Sequence, residues 1–289
     1  MSYVKFFKYK IDSLEHFISN KQTSLNEVHL TWLGQAGFII RFANKTIIID
    51  PYLSDYLSKK YKGSIFPHIR LMTIPIIPEE IRNVDYVIIS HAHSDHMDPE
   101  TLTIISDKIP TCRFIIPAAE IEEAINRGVK REQIIPCNDG QTLSLHNKIK
   151  IIGIASSHET LKINSKGQHH FLGYVFQLGE INIYHSGDCI PYKGLNEKIK
   201  TQNIDLALLP INGRDDYRAS NNIAGNFLIP EVLELCKVVE IPNLIVHHFG
   251  MFAYNTVKTE DLEDLKQRSS DSLQIVIPEI NYVYKILRN

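Results

Sequence analysis

The densest chemistry in the chain lies in Ser90-His91-Ala92-His93-Ser94-Asp95-His96-Met97-Asp98. Within six residues this stretch sets three imidazoles and a carboxylate, directly after the apolar run Val87-Ile88-Ile89. The pattern H-x-H-x-D-H offers nitrogen and oxygen donors without a thiolate, a set that suits Zn²⁺, Mn²⁺ or Fe²⁺. His91 and His93 are two residues apart, so in extended backbone both project to one side. Asp95 and His96 lie past a bend and return from another direction. That geometry fits two adjacent cations better than one. More donors follow at expected strand ends: His158 after 151–155, Asp188 in Tyr184-His185-Ser186-Gly187-Asp188, and His247 after Leu244-Ile245-Val246. One such residue alone is ordinarily a turn or surface group. Four strands ending this way point to a shared metal site.

The elements that must position these donors can be read from periodicity. Residues 85–89 read as a buried strand and 99–105 as the start of a helix. The cluster therefore sits on a strand-to-helix loop at the carboxyl end of a strand, where α/β folds place ligands. Upstream, 28–33, 37–42 and 46–50 read as a meander broken by Gly34-Gln35 and Asn44-Lys45, with Asp50 at the tip of the third run. Residues 1–27 read as a helical lead-in, with Leu14, Phe17 and Ile18 at helical spacing. Residues 54–80 carry Gly63, Pro67, Pro75 and Pro78 without regular periodicity, as in a long loop over a site. Further strands are expected over 112–116, 133–135, 142–145, 149–154, 171–178, 181–186, 204–209, 243–246, 273–277 and 282–287. Helices are expected over 118–127, 224–238 and 259–267. This order predicts an α/β fold in one domain over 1–289: two mixed sheets packed face to face with helices outside.

Composition narrows the function classes. Thirty-one Lys and Arg against 33 Asp and Glu give a net charge of −2, with no global electrostatic footprint for nucleic acid or an anionic membrane. Cys112, Cys137, Cys189 and Cys236 are widely spaced and read as reduced thiols, consistent with a cytoplasmic protein. The expected partner is an anionic or phosphorylated small molecule, with a homo-oligomer left open.

The ordered set His91-Ala-His93-Ser-Asp95-His96, His158, Asp188, His247 resembles the metallo-β-lactamase superfamily. Trp32-Leu33-Gly34-Gln35-Ala36-Gly37-Phe38, Leu209-Pro210-Ile211-Asn212-Gly213-Arg214-Asp215 and His247-His248-Phe249-Gly250-Met251-Phe252 are similar to the L-ascorbate-6-phosphate lactonase-like group, as are Tyr184–Asp188 and 222–226. The resemblance implies an αββα sandwich and a hydrolytic site for two divalent ions, Mn²⁺ or Zn²⁺. By the family pattern His91, His93 and His158 hold one ion, Asp95, His96 and His247 hold the other, and Asp188 bridges. Asp50 would brace the metal loop. Two such ions make hydroxide available at neutral pH to attack a lactone carbonyl, with Asp95 orienting the nucleophile.

Substrate contacts are expected from Arg214 and Asn212 for a phosphate, from Arg70 in the long loop, and from His248, while Lys59-Lys60 in the same loop reads as a solvated pair. As neighbours on a strand alternate, His248 could instead point to the opposite face. His185 is expected behind the ligands. Three other readings compete with a lactonase: a phosphodiesterase for cyclic nucleotides or phospholipids, a non-catalytic metal-binding protein, and a nucleic-acid-processing enzyme.

Overall fold

The computed structural model describes residues 4–20 and 22–288. The strands are β1 (Val4–Lys10), β2 (Glu27–Gly34), β3 (Gly37–Phe42), β4 (Lys45–Ile49), β5 (Tyr86–Ile88), β6 (Arg113–Pro117), β7 (Ile134–Cys137), β8 (Thr142–His146), β9 (Ile149–Ala155), β10 (Leu172–Leu178), β11 (Ile181–His185), β12 (Leu206–Pro210), β13 (Asn243–His247), β14 (Gln274–Val276) and β15 (Tyr282–Arg288). The helices are α1 (Leu14–Ser19), α2 (Tyr56–Lys60), α3 (Pro99–Lys108), α4 (Ile121–Asn126), α5 (Leu195–Lys200), α6 (Asp216–Ser220), α7 (Ile229–Val239) and α8 (Thr259–Gln267).

The strands form two mixed sheets, ordered β1-β15-β2-β3-β4-β5-β6-β7 and β14-β13-β12-β11-β10-β9-β8. In each, an antiparallel meander runs into a parallel half: β4 to β7 in the first, β11 to β14 in the second. Parallel neighbours need crossovers, and α3 and α7 serve that role. Side chains of β3 alternate between two buried clusters. Phe38 and Ile40 join a core that reaches Tyr174 and Phe176 of β10, while Ile39 joins Leu102 and Ile105 of α3. The first sheet is therefore covered on both faces, the αββα layering.

Three expectations need correction. Residues 1–27 are not a helical lead-in throughout: β1 occupies 4–10 and pairs in antiparallel register with β15. The tertiary partner lies at the other end of the chain, so local spacing cannot reveal it. The helix expected from 224 begins at Ile229, where Pro230 suits a first turn and Glu231 Oε2 accepts from Leu228 N–H (2.8 Å). Residues 54–80 are not structureless, because α2 forms within them. Among the described residues no helix is long and apolar enough to cross a membrane.

Candidate metal centre

The carboxyl ends of β4, β5, β11 and β13 meet at one edge of the sandwich. Past β5 the chain turns through the histidine loop, which Asp98 ends by capping α3: its carboxylate accepts from Glu100 N–H (3.2 Å) and Thr101 Oγ (2.5 Å). Asp50 follows β4 with φ of 42°, and its carboxylate reaches across to this loop. Oδ1 accepts from Ser90 N–H (2.7 Å), and Oδ2 accepts from Ser90 Oγ (2.5 Å) and His96 Nδ1 (2.7 Å). Asp50 thereby fixes the His96 ring with Nε2 directed towards Asp188 Oδ1, 3.2 Å away.

The donors gather in two groups. His91, His93, His158 and Asp188 form one, and Asp95, His96 and His248 the other, with donor atoms in each within 4.8 Å of one another. Asp188 stands between them. Its Oδ2 is 3.6 Å from His158 Nε2, and its Oδ1 is 3.2 Å from His96 Nε2 and 3.3 Å from His248 Nε2. His91 Nε2, His96 Nε2 and Asp188 Oδ1 are buried without a hydrogen-bond partner. Buried polar atoms ordinarily find partners, so this convergence of orphaned nitrogen and oxygen donors fits divalent cations.

The electrostatics divide the imidazoles. Burial lowers the His158 pKa to about 4 and holds His91 well below its ordinary value, so both are neutral donors at pH 7. Burial also acts on His248, but Asp188 and Asp95 outweigh it and raise its pKa to about 9. His96 is likewise raised well above its ordinary value, against its burial, by Asp188, Asp95 and Asp50. The same pairing, with His248 and His96 opposing burial, holds Asp188 well below the usual carboxylate range.

His247 stands outside this constellation, contrary to the expectation, and His248 takes the place given to it. His247 is the last residue of β13 and points among the sheets, where its ring stacks on His185 at 4.9 Å and meets the edge of Phe38. The next residue leaves strand geometry at φ of 62°, donates its N–H to Gln35 O (2.9 Å) and swings its imidazole to Asp188. This turn, rather than strand alternation, separates the neighbours and brings His248 and not His247 to the carboxylates. His185 accepts Gly187 N–H at Nδ1 (3.0 Å), so Nε2 donates to Ala36 O (3.0 Å). It thus ties together the backbones beside Asp188 and Gln35 without touching the donor groups.

Gln35 is a site residue that spacing did not single out. It is fully buried at φ of 49°, donates Nε2 to Asp95 Oδ2 (2.8 Å) and lies 3.1 Å from His248 Nε2. A polar residue between Gly34 and Gly37 in an otherwise apolar hairpin was the available signal.

Above the donors lies a cavity of about 790 Å³. The 54–80 segment supplies Tyr61, Phe66 and His68 to its wall, and Phe252 and Tyr254 close the other side. The Tyr61 and His68 rings stack at 4.0 Å, His68 meets Phe252 at 5.1 Å, and Phe66 meets Tyr254 at 5.3 Å. The residues expected to contact substrate are mostly engaged elsewhere. Arg214 is held in a two-pronged ion pair by Glu231 (2.7 and 2.5 Å) and ties the loop after β12 to α7. Arg70 stacks on the Tyr52 ring (4.6 Å) and donates to Tyr52 O (3.0 Å), pinning the long segment to the core. Asn212 is buried between Asn255 (2.8 Å) and Asn226 (3.0 Å).

A family model for the Beta-lactamase superfamily domain matches residues 29–246. A UPF0173 metal-dependent hydrolase of Caldivirga maquilingensis is 29% identical over 185 residues, spanning 64% of this chain and 70% of the relative. Another, of Pyrococcus furiosus, is 27% identical over 256 residues, spanning 86% of this chain and 96% of the relative. Among solved structures, the isothiocyanate hydrolase from Delia radicum gut bacteria superposes with a TM-score of 0.70 at 18% identity, covering 88% of this chain and 98% of its own. That likeness concerns the fold.

Proposed function

The chain belongs to the beta-lactamase superfamily, and from that premise we propose that it is a metal-dependent hydrolase that opens the ring of a phosphorylated lactone such as L-ascorbate 6-phosphate. The observation that carries the hydrolytic part is Asp188, placed between two groups of histidine and aspartate donors, with His91 Nε2, His96 Nε2 and its own Oδ1 buried without a partner, at the base of an aromatic-walled cavity. Divalent cations bound there would supply hydroxide at neutral pH and positive charge for the developing oxyanion. The protein's own groups prepare this chemistry. Asp50 keeps the proton on His96 Nδ1 and leaves Nε2 for a cation. Gln35 Nε2 fixes the rotamer of Asp95 through Oδ2. The rings of Tyr61, Phe66, Phe252 and Tyr254 limit water and offer flat faces to a substrate ring.

The lactone part is supported by the motif resemblance around Trp32–Phe38 and Leu209–Asp215. A phosphodiesterase is the second reading, since the same pair of donor groups suits an in-line displacement at phosphorus. Zinc- and manganese-loaded protein offered L-ascorbate 6-phosphate, an unphosphorylated lactone, a chromogenic phosphodiester and an isothiocyanate distinguishes the readings by proton release or absorbance. Preference for the phosphorylated lactone is the expected result. Turnover of the diester alone would replace the lactonase reading, and no turnover of any of them would overturn the hydrolytic one.

A further inference from the structure

In the histidine loop Ser94 is neither a candidate metal donor nor a helix cap. Ser94 lies between His93 and Asp95, is buried, and lines the cavity. Two cations from separate elements reach its hydroxyl: Lys60 Nζ from the end of α2 at 3.4 Å and Arg127 Nη1 from the end of α4 at 3.5 Å. Both line the same cavity as the metal donors.

The two cations differ in how they are anchored. Arg127 is positioned by Met97 O (2.8 Å) and by Glu123 (2.6 Å), so its fork is held in place beside the loop. Lys60 has no carboxylate within ion-pair distance among the described residues; its neighbour Lys59 takes Glu100 instead. The Lys60 ammonium rests near the rings of Tyr56 (5.9 Å) and Tyr61 (5.4 Å). Like charges brought to one hydroxyl repel, and the repulsion is relieved when an oxyanion sits between them. Arg127 pairs with Glu123 through Nε and keeps Nη1 on the loop, whereas Arg214 gives both Nη atoms to Glu231 and is not among the residues lining the cavity.

From this juxtaposition we infer that Lys60, Ser94 and Arg127 form an oxyanion subsite for the substrate's non-reacting end, a phosphate or a carboxylate. The subsite deepens the hydrolytic reading of the same cavity and rests on it for the word substrate. A substrate carrying its scissile carbonyl at one end and an anionic group at the other would span the distance between donor groups and subsite, its ring against Tyr61 and Phe66. Ser94 Oγ can donate to the anion when both cations turn to it. Specificity for an anionic substrate thus comes from the metal loop itself and from α2, which the 54–80 segment brings over it.

The test is binding of inorganic phosphate to zinc-loaded, full-length protein, followed by phosphorus NMR, with acetate in parallel followed by proton NMR. Lys60 is exposed, so Lys60→Gln leaves packing intact, and zinc content is measured in each sample. We expect Lys60→Gln to weaken phosphate binding by about tenfold, the size of one lost charge-assisted hydrogen bond, and Lys60→Arg to restore it. A comparable loss for acetate extends the subsite to carboxylates; a loss for phosphate alone assigns it to phosphoryl groups. Phosphate affinity that does not change in Lys60→Gln, at full zinc content, overturns the subsite and places the anion on the metal alone. Failure of every hydrolysis assay together with Lys60-dependent phosphate binding would instead remove the hydrolytic reading and leave the subsite standing.

Discussion

His96 and His248 hold protons in the metal-free protein that a cation must displace. His248 titrates at about 9 and His96 higher than its ordinary value, because Asp188, Asp95 and, for His96, Asp50 face them. Both are raised, so below about pH 9 the His248 imidazole is charged and cannot donate to a metal. Calorimetry of zinc binding at pH 7 in buffers of different ionisation enthalpy should therefore register proton release, diminishing as the pH passes about 9; a pH-independent absence of release would contradict these assignments. Asp50→Asn tests the bracing of His96. It keeps the shape but loses the negative charge, and zinc affinity should fall roughly 10–100-fold, read by competition with a chelator; unchanged affinity would remove Asp50 from that role. At this scale His91, His93, Asp95, His96, His158 and Asp188 were legible because their types and strand-end positions are local properties. His247 was expected where the structure brings His248, since the choice depends on a backbone turn to φ of 62° that no spacing displays.

Among the elements, the tight contact between the β5 loop and the β11 loop sets the site's dimensions. Gly187 has φ of 60°, and a Cβ there would lie 2.7 Å from Ser90 Cβ. Gly187→Ala should push the Asp188 loop off the histidine loop and destabilise the fold by about 1–3 kcal/mol, seen in chemical unfolding together with a loss of bound zinc; a neutral substitution would mean that the loops do not set each other's position. Arg214 belongs to this scale too. Its ion pair with Glu231 is part exposed, so Arg214→Ala should cost on the order of 0.5–1 kcal/mol in stability and leave phosphate affinity as it is. A tenfold loss of phosphate affinity in Arg214→Ala would return it to the binding role its motif suggested. The motif located the loop correctly, but Glu231, the partner that neutralises Arg214, comes from a helix whose start was misplaced.

Across the whole molecule, the alternation of meander and βα runs was enough to anticipate two mixed sheets with outer helices, because each element buries a face with its own periodicity. The β1–β15 pairing escaped, being a contact between the two ends of the chain. Residues 54–80 were expected to lie over a site, but the aromatic wall they build there was not: Tyr61, Phe66 and His68 look like irregular loop residues until Phe252 and Tyr254 meet them from the segment after β13. What the fold achieves is to bring the carboxyl ends of four parallel strands to one edge, so that Asp188 can face two donor groups at once. The most direct measurement is elemental analysis of metal in dialysed protein, comparing wild type with His248→Ala and His247→Leu. We expect two equivalents of metal per chain in the wild type and in His247→Leu, and one in His248→Ala. Full metal in His248→Ala, or a site lost in folded His247→Leu, would contradict the two-group arrangement around Asp188.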